Sequence, residues 1–368
     1  MEKTLKKIII SGGGTGGHIF PAVSIANELK ARDASIDILF VGAENRMEME
    51  KVPAAGYKIV GLPVSGFQRK NLLKNFSVLL RLWKSMAKAK KVLKEFHPDV
   101  AVGVGGYASG PLLKQAQRLN IPTLIQEQNS YAGVTNRLLA KKVARICVAY
   151  PGMEKYFPAD KIILTGNPVR QDVVVIEGKK EEALAYFGLQ PGKPTLLIIG
   201  GSLGARSINE SVLASIDLLV NSDVQVIWQT GKIYYKRIMA TLKTIDHPNI
   251  KVSDFVTRMD LAYSLADLVI SRSGAISVSE LCLCAKPAIL VPSPNVAEDH
   301  QTKNATALVE KQAAVLVKDV DAKEMLIPKA FEILKNKELR AGLSKNISKL
   351  ALRDSASAIV DEIFKLIK

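Results

Sequence analysis

Short apolar runs alternate with amphipathic stretches from one end of the chain to the other. In the first half such runs lie at 7–11, 36–42, 57–62, 100–103, 123–126, 145–149 and 161–165, rich in Ile, Val and Leu. In the second half they recur at 195–200, 224–229, 251–255, 268–271, 287–291 and 314–317. Nearly continuous apolar runs of this length suit strands covered on both faces. Between them, segments such as 22–29, 134–140, 207–219 and 276–284 place apolar residues three and four apart, which predicts helices. Strands alternating with helices predict open parallel sheets with helices on both sides.

The series restarts midway. After Gly166-Asn167-Pro168 a charged segment at 177–182 leads into a fresh apolar run and a second glycine cluster. At 368 residues the chain also exceeds what one core ordinarily holds. The pattern therefore predicts an α/β protein of two Rossmann-like, doubly wound parallel-sheet domains, 1–166 and 167–351. A last helix at 355–367 carries Ile359, Ile363 and Ile367 at i, i+4 and i+8. Its apolar face fits either domain on periodicity alone, and residues 352–368 are assigned to the first.

Charge narrows the partners. Lys and Arg number 51 against 35 Asp and Glu, a net charge of +16, which favours nucleic acid, an anionic membrane or a phosphorylated substrate. No uncharged apolar run reaches the roughly 18 residues of a spanning helix, and the basic start of the chain has too short an apolar stretch for a signal peptide. A soluble or membrane-peripheral protein is expected. The three cysteines, Cys147, Cys282 and Cys284, show no framework spacing and suit a reducing compartment, where they read as core residues.

Candidate chemistry gathers where apolar runs end. Gly12-Gly13-Gly14-Thr15-Gly16-Gly17-His18 follows the first strand and precedes a helix, so backbone N–H groups and a helix amino end can approach an anion. The loop satisfies G-x-G-x-x-G, which alone is weak, and it lacks the Gly-Lys-Ser/Thr of a Walker loop. Gly200-Gly201-Ser202-Leu203-Gly204-Ala205-Arg206 repeats the context. A third cluster, Ser271 to Glu280, opens another helix with small residues suited to a pyrophosphate, and Glu280 is placed to accept from ribose hydroxyls. A fourth, Glu298 to Asn304, offers polar groups after a strand, where Asp299 also reads as a helix cap.

Taken in order, Gly13-Gly14-Thr15-Gly16-Gly17-His18, Gly105-Gly106-Tyr107, Glu127-Gln128-Asn129, Gly166-Asn167-Pro168-Val169-Arg170, the Gly200–Arg206 loop, Arg272-Ser273-Gly274-Ala275 and Asp299-His300-Gln301 resemble the MurG family of N-acetylglucosaminyltransferases. The resemblance spans nearly the whole chain, with Gln126 standing where some members carry His. It implies two Rossmann-like domains facing across a cleft, the GT-B architecture. It also implies inverting transfer of N-acetylglucosamine from its UDP conjugate to the C4 hydroxyl of the muramyl sugar of undecaprenyl-linked lipid I, giving lipid II. By the same resemblance Val256 contacts uracil through its backbone and Glu280 holds the ribose. Ser202, Arg170 and the helix start at Ala275, Ile276, Ser277, Val278 and Ser279 surround the pyrophosphate. Gln301 and Asn304 meet the donor sugar, with Thr15, Gly16, Gly17 and Asn129 reaching in from the first domain.

Inverting transfer needs a base and charge relief for departing UDP. His18 is the first choice of base, because imidazole titrates near neutrality, although donating to a phosphate or shaping the loop suits it equally; Glu127 is the second choice. Asp319-Val320-Asp321 matches a metal-binding Asp-x-Asp string, but Asp321 reads better as a helix N-cap. No metal ligand and no cofactor is expected, helix dipoles and Arg170 serving the phosphates. Between Arg69 and Lys94 there are nine Lys or Arg and no acid, with Phe76, Leu79, Leu80 and Trp83 interleaved, as an anionic bilayer surface attracts. Alternatively that apolar face packs inside the first domain. The expected place is the cytoplasmic face of the bacterial inner membrane. Three rivals remain: an NAD-dependent oxidoreductase with Glu44 on a ribose; a nucleic-acid-binding protein, for which no recognised module is present; and, sharing the fold, a UDP-sugar epimerase or a glycolipid transferase with another acceptor.

Overall fold

The computed structural model describes residues 6–64, 75–201, 203–245 and 247–367. It divides into two compact units, residues 1–170 with 352–368, and residues 171–351. The first holds β1 (Lys7–Ser11), β2 (Asp37–Ala43), β3 (Lys58–Leu62), β4 (Val100–Gly103), β5 (Thr123–Glu127), β6 (Arg145–Val148) and β7 (Ile162–Leu164) in a seven-stranded sheet ordered β3-β2-β1-β4-β5-β6-β7. The second holds β8 (Thr195–Ile199), β9 (Gln225–Gln229), β10 (Ile250–Ser253), β11 (Leu268–Ser271), β12 (Ala288–Leu290) and β13 (Val315–Leu316), ordered β10-β9-β8-β11-β12-β13. All pairings are parallel. Every apolar run read as a strand is a strand.

Burial on both faces explains why those runs are continuous rather than alternating. Ile8 and Ile10 of β1 pack on one side, with Ala22, Ile25 and Leu29 of the helix Gly16–Arg32. Ile9 points the other way, with Ala89 and Leu93 of the helix Asn75–Phe96 and Leu112 of the helix Ser109–Arg118. Successive strand residues face opposite sides, so both need apolar cover. One helical expectation needs correction. The stretch 207–219 is not one helix but two, Arg206–Ala214 and Ile216–Val220, interrupted at Ser215. The break turns Ile216 and Leu219 onto the core already occupied by Ile208 and Val212.

In each sheet the order reverses direction once, between β1 and β4 and between β8 and β11. Connections leave these neighbouring strands toward opposite faces, which opens a crevice at their carboxyl ends. The Gly12–His18 and Gly105-Gly106 segments follow β1 and β4, and the Gly200–Arg206 and Arg272–Gly274 segments follow β8 and β11. Four motifs distant in sequence thus become two pairs of neighbours.

The helix Ser355–Phe364 completes the first unit's core with Ile359, Val360 and Ile363, all fully buried beside Ile8 and Ile10. Arg32 donates through Nη1 to Asp361 Oδ1 at 2.5 Å and through Nη2 to the Ser357 carbonyl at 3.0 Å. Arg145 of β6 donates to the mostly buried Glu362 at 3.3 Å. Ile363→Ala is expected to lower stability by about 2–5 kcal/mol, the range for emptying a buried aliphatic site. Denaturant unfolding checks this, and a change below about 0.5 kcal/mol, typical of exposed positions, would contradict the packing.

Candidate active site

In the first unit the glycine loop is shaped by a residue that the sequence did not flag. Glu48 is buried; its Oε2 accepts from the Gly14 N–H at 2.8 Å and its Oε1 from the Ala43 N–H at 2.9 Å. One carboxylate therefore ties the loop after β1 to the end of β2. Gly106, with φ +86, presses against Gly13, and a Cβ there would lie far inside contact with the Gly13 carbonyl. Ser109 donates to the Ser11 carbonyl at 3.0 Å and to the Gly105 carbonyl at 2.7 Å, locking the two loops together from below. Thr15 holds the extended N-cap position of the helix Gly16–Arg32, with no side-chain cap and no acid in the first turn. The helix's own first turn thus offers its free N–H groups with no acid among them, and the nearest carboxylate, that of Glu48, is already engaged by Gly14 and Ala43.

His18 sits in the first turn of this helix. Its Nδ1 lies 3.2 Å from Gln128 Oε1, and a Cβ on Gly105 would stand 2.7 Å from the ring. The imidazole is thus gripped between the loop after β4 and the end of β5. Glu127 next door is wholly enclosed. Its Oε1 accepts from the Asn129 backbone at 3.1 Å and side chain at 3.3 Å, and its Oε2 from the Gly133 N–H at 3.0 Å and Asn136 Nδ2 at 2.8 Å. Burial raises its pKa against the opposing pull of those donors. Glu127 so organises the 127–133 loop and the start of the helix Val134–Leu139. Arg170 lies with its guanidinium carbon 5.8 Å from the Phe20 ring centre, within cation–π range, and so belongs with this unit.

The second unit repeats the device. Gly204, at φ +81, packs against the Thr230 carbonyl so closely that no side chain fits. Gln229, at the end of β9, donates to the Gly201 carbonyl at 3.1 Å and accepts from the Val256 N–H at 2.9 Å. Asn209 donates to the Thr230 carbonyl at 2.9 Å and accepts from Trp228 Nε1 at 3.0 Å. Ser202 lies outside the described residues. Below β11, Gly274 is the extended N-cap of the helix Ala275–Leu283, which carries no side-chain cap and no first-turn acid. Ala275, Ile276, Ser277, Val278 and Ser279 form its first turns, and the Ser279 hydroxyl donates to the Ala275 carbonyl at 3.0 Å. Glu280 Oε2 accepts from the buried Tyr263 hydroxyl at 2.9 Å, and burial together with the Glu280 charge drives the Tyr263 pKa well up.

Other polar residues of the motifs prove to be struts. Arg272 donates through Nη1 to the Val291 carbonyl at 3.0 Å and Asp319 Oδ1 at 2.5 Å, and through Nη2 to the Ser207 hydroxyl at 3.1 Å. Asp319 is thereby committed to an ion pair. Asp321 is not the side-chain N-cap expected of it: a 3-10 turn, Asp319–Asp321, runs straight into the helix Ala322–Lys335, so Asp321 is already in a helical conformation and its carboxylate makes no cap bond. Asp299 also fails as a backbone cap, because it sits at φ 51 and accepts from the Thr302 hydroxyl at 2.6 Å instead. Gln301 Oε1 accepts from the Ser293 N–H at 2.8 Å, and the Gln301 carbonyl accepts from the Ser273 hydroxyl at 2.8 Å. Asn304 is fully buried and donates to the Ser273 carbonyl at 3.2 Å. Glu44, the acid an NAD site would need, accepts from Lys88 at 2.8 Å. Among the described residues no group of three or more His, Cys, Asp and Glu is placed to hold a metal ion.

Glu48→Gln would turn an NH2 group toward one of the two backbone donors that the carboxylate now satisfies. A buried donor left without an acceptor costs roughly 1–3 kcal/mol. Thermal unfolding should show that loss, and an unchanged melting temperature would mean that the loop after β1 does not depend on Glu48.

Comparison with known proteins agrees with this layout. The sequence profile of the glycosyltransferase family 28 N-terminal domain matches residues 8–148, and that of the family's C-terminal domain matches residues 195–359. A protein of Parabacteroides distasonis, named UDP-N-acetylglucosamine–N-acetylmuramyl-(pentapeptide) pyrophosphoryl-undecaprenol N-acetylglucosamine transferase, is 64% identical over 98% of both chains. One of the same name from Phocaeicola vulgatus is 62% identical over 100% of this chain and 97% of its own. Among solved structures, MurG of Acinetobacter baumannii is 28% identical, with a TM-score of 0.79 over 98% of this chain and 99% of that one. Two glycine-loop crevices in consecutive parallel sheets, in a chain this similar to these enzymes, place the protein in glycosyltransferase family 28, as a member of its MurG family.

Proposed function

We propose that the chain transfers N-acetylglucosamine from UDP-N-acetylglucosamine to the C4 hydroxyl of the muramyl sugar of undecaprenyl-linked lipid I, with inversion, forming lipid II for peptidoglycan. The observation that carries this reading is the β8/β11 crevice, where a glycine loop and an uncapped helix end meet in a chain 64% identical to a protein named for that reaction. Helix amino ends bind phosphates through free N–H groups and the macrodipole. In this reading the helix start at Ala275 faces the pyrophosphate and stabilises departing UDP, a task in which the family resemblance also enlists Ser202 and Arg170.

Recognition of the nucleotide falls to neighbours. Glu280, steadied by Tyr263, accepts from ribose hydroxyls. Val256 meets uracil through its carbonyl, because its N–H already serves Gln229. Gln301 offers its NH2 to the sugar, since its Oε1 already accepts from Ser293. Asn304 works from behind, holding Ser273 in place. Thr15, Gly16, Gly17 and Asn129 line the first unit's crevice. His18 takes the acceptor proton, and Glu127, saturated by four N–H contacts, positions the loop around it. UDP-N-acetylglucosamine and lipid I are the partners of this scheme; it uses no cofactor and no nucleic acid.

A lipid-linked acceptor requires the enzyme to reach a membrane, and no helix among the described residues is long and apolar enough to cross one. The helix Asn75–Phe96 has two apolar stripes. Val78, Ala89, Val92 and Leu93 are buried in the first unit, while Leu79, Leu80 and Trp83 are 53%, 51% and 71% exposed. Arg69, Lys70, Lys74 and the Phe76 side chain lie outside the described residues. Lys88 pairs with Glu44 and Lys91 lies 3.7 Å from Glu95, so Lys84 and Lys90 are better levers on a lipid surface. An exposed aromatic and aliphatic stripe beside lysines is suited to the headgroup region of the anionic cytoplasmic face of the inner membrane.

Titrating UDP into the folded protein should release or absorb heat, NAD should not, and radiolabel should pass from UDP-N-acetylglucosamine to a short-chain lipid I analogue. No heat with UDP would end this reading. His18→Ala should cut turnover about 10²-fold or more, the scale of general-base catalysis, while UDP-sugar binding persists; near-normal turnover would remove His18 from the chemistry. Replacing Trp83 with Ala and Lys84 and Lys90 with Glu should weaken sedimentation with phosphatidylglycerol vesicles. Equal binding by the variant and the parent would place the membrane contact elsewhere.

A further inference from the structure

Three buried amides stand behind His18, and their hydrogen bonds run in one direction only. Gln128 Nε2 lies 2.6 Å from the Val104 carbonyl and also meets Gln126 Oε1. Gln126 Nε2 lies 3.0 Å from Asn167 Oδ1, and Asn167 Nδ2 lies 3.1 Å from the Gln128 carbonyl. Gln126, Gln128 and Asn167 are all buried. A backbone carbonyl can only accept, so the Val104 carbonyl forces the Gln128 NH2 toward it. That leaves Gln126 to accept from Gln128 and to donate to Asn167. Asn167 must then donate onward, and it meets a second carbonyl, that of Gln128. Flipping any one amide would set oxygen against oxygen at a buried site, which is costly. The two carbonyl anchors at the ends of the chain agree on the same polarity.

With its NH2 so committed, Gln128 presents only Oε1 to His18 Nδ1, 3.2 Å away. An oxygen acceptor there requires Nδ1 to carry the proton. We infer that Gln126, Gln128 and Asn167 form a polarity-fixed relay that holds neutral His18 as the Nδ1–H tautomer, so that its basic lone pair is on Nε2. Which ring nitrogen is protonated is set by the hydrogen bond of the other. These residues touch no substrate in this scheme; they are positioning residues. Gly105 completes the hold, since any side chain there would collide with the ring. The inference deepens the proposed role of His18 as base and rests on it for its catalytic meaning, though not for the tautomer itself.

The test is a long-range proton–nitrogen spectrum of the full-length enzyme labelled with 15N-histidine, at a pH where the imidazoles are neutral. The chain has four histidines, and the His18 signals are those missing from His18→Gln. The expected wild-type pattern is protonated Nδ1 and pyridine-like Nε2 at His18. A protonated Nε2 would overturn the relay, and this outcome needs no other variant to fold. In Gln128→Met the His18 pattern should move toward Nε2–H, and kcat should fall about tenfold or more, a fraction of what a general base contributes, with KM for UDP-N-acetylglucosamine unchanged. A Gln128→Met enzyme that keeps the Nδ1–H pattern would also overturn it. If the wild-type pattern is as expected but His18→Gln turns over normally, the relay stands and the assignment of His18 as base fails. If His18→Gln is inactive but the tautomer is Nε2–H, the base survives and the relay falls.

Discussion

The first unit's site depends on how closely two loops approach at the carboxyl ends of adjacent strands. Gly106 rests on Gly13 with no room for a single carbon between them, and from that contact follow the positions of Gly105, His18 and the helix amino end. The second unit solves the same problem with Gly204 against Thr230. In both, buried polar side chains hold the approach: Glu48 and Ser109 in one, Gln229 and Asn209 in the other. Backbone groups brought this close to a crevice can reach an anion without lysine or metal. The glycine motifs are therefore as much about loop-to-loop packing as about ligand approach.

A division of labour follows among the polar residues. Some, such as Arg272, Asp319, Asn304 and Glu127, spend their hydrogen bonds on the protein itself. Others sit at the ends of helices or on the crevice side, where the chemistry needs them. Resemblance to a family marks both kinds equally, because both are required for the same geometry. Bond partners separate them: a carboxylate surrounded by four N–H groups has little left to offer a substrate.

Strands and their parallel pairing were legible in the sequence because parallel strands buried on both faces leave unbroken apolar runs, as in Ile8-Ile9-Ile10. The glycine loops were legible because their φ values and close approaches admit little else. What stayed hidden are contacts across long sequence distances. Glu48 reaches Gly14 over 34 residues, and Gln128 reaches His18 over 110. Nothing local distinguishes Glu48 from the surface acids around it, and the polarity of an amide depends wholly on what it faces. Caps failed for the opposite reason. Asp299 and Asp321 have suitable chemistry at the right place in sequence, but backbone conformation, visible only in three dimensions, denies them the geometry.

The helix Ser355–Phe364 gives the fold an unusual order of assembly. The second unit is one continuous stretch, 171–351, whereas the core of the first draws on Ile359, Val360 and Ile363 from after it. During vectorial synthesis the later-made unit can therefore finish packing while the earlier one still lacks part of its hydrophobic cover. Until the helix Ser355–Phe364 has left the ribosome, the sheet that leads into the His18 loop keeps an apolar face open at Ile8 and Ile10. Chaperone demand in the cell would then centre on the amino-terminal half, the one whose sequence emerges first.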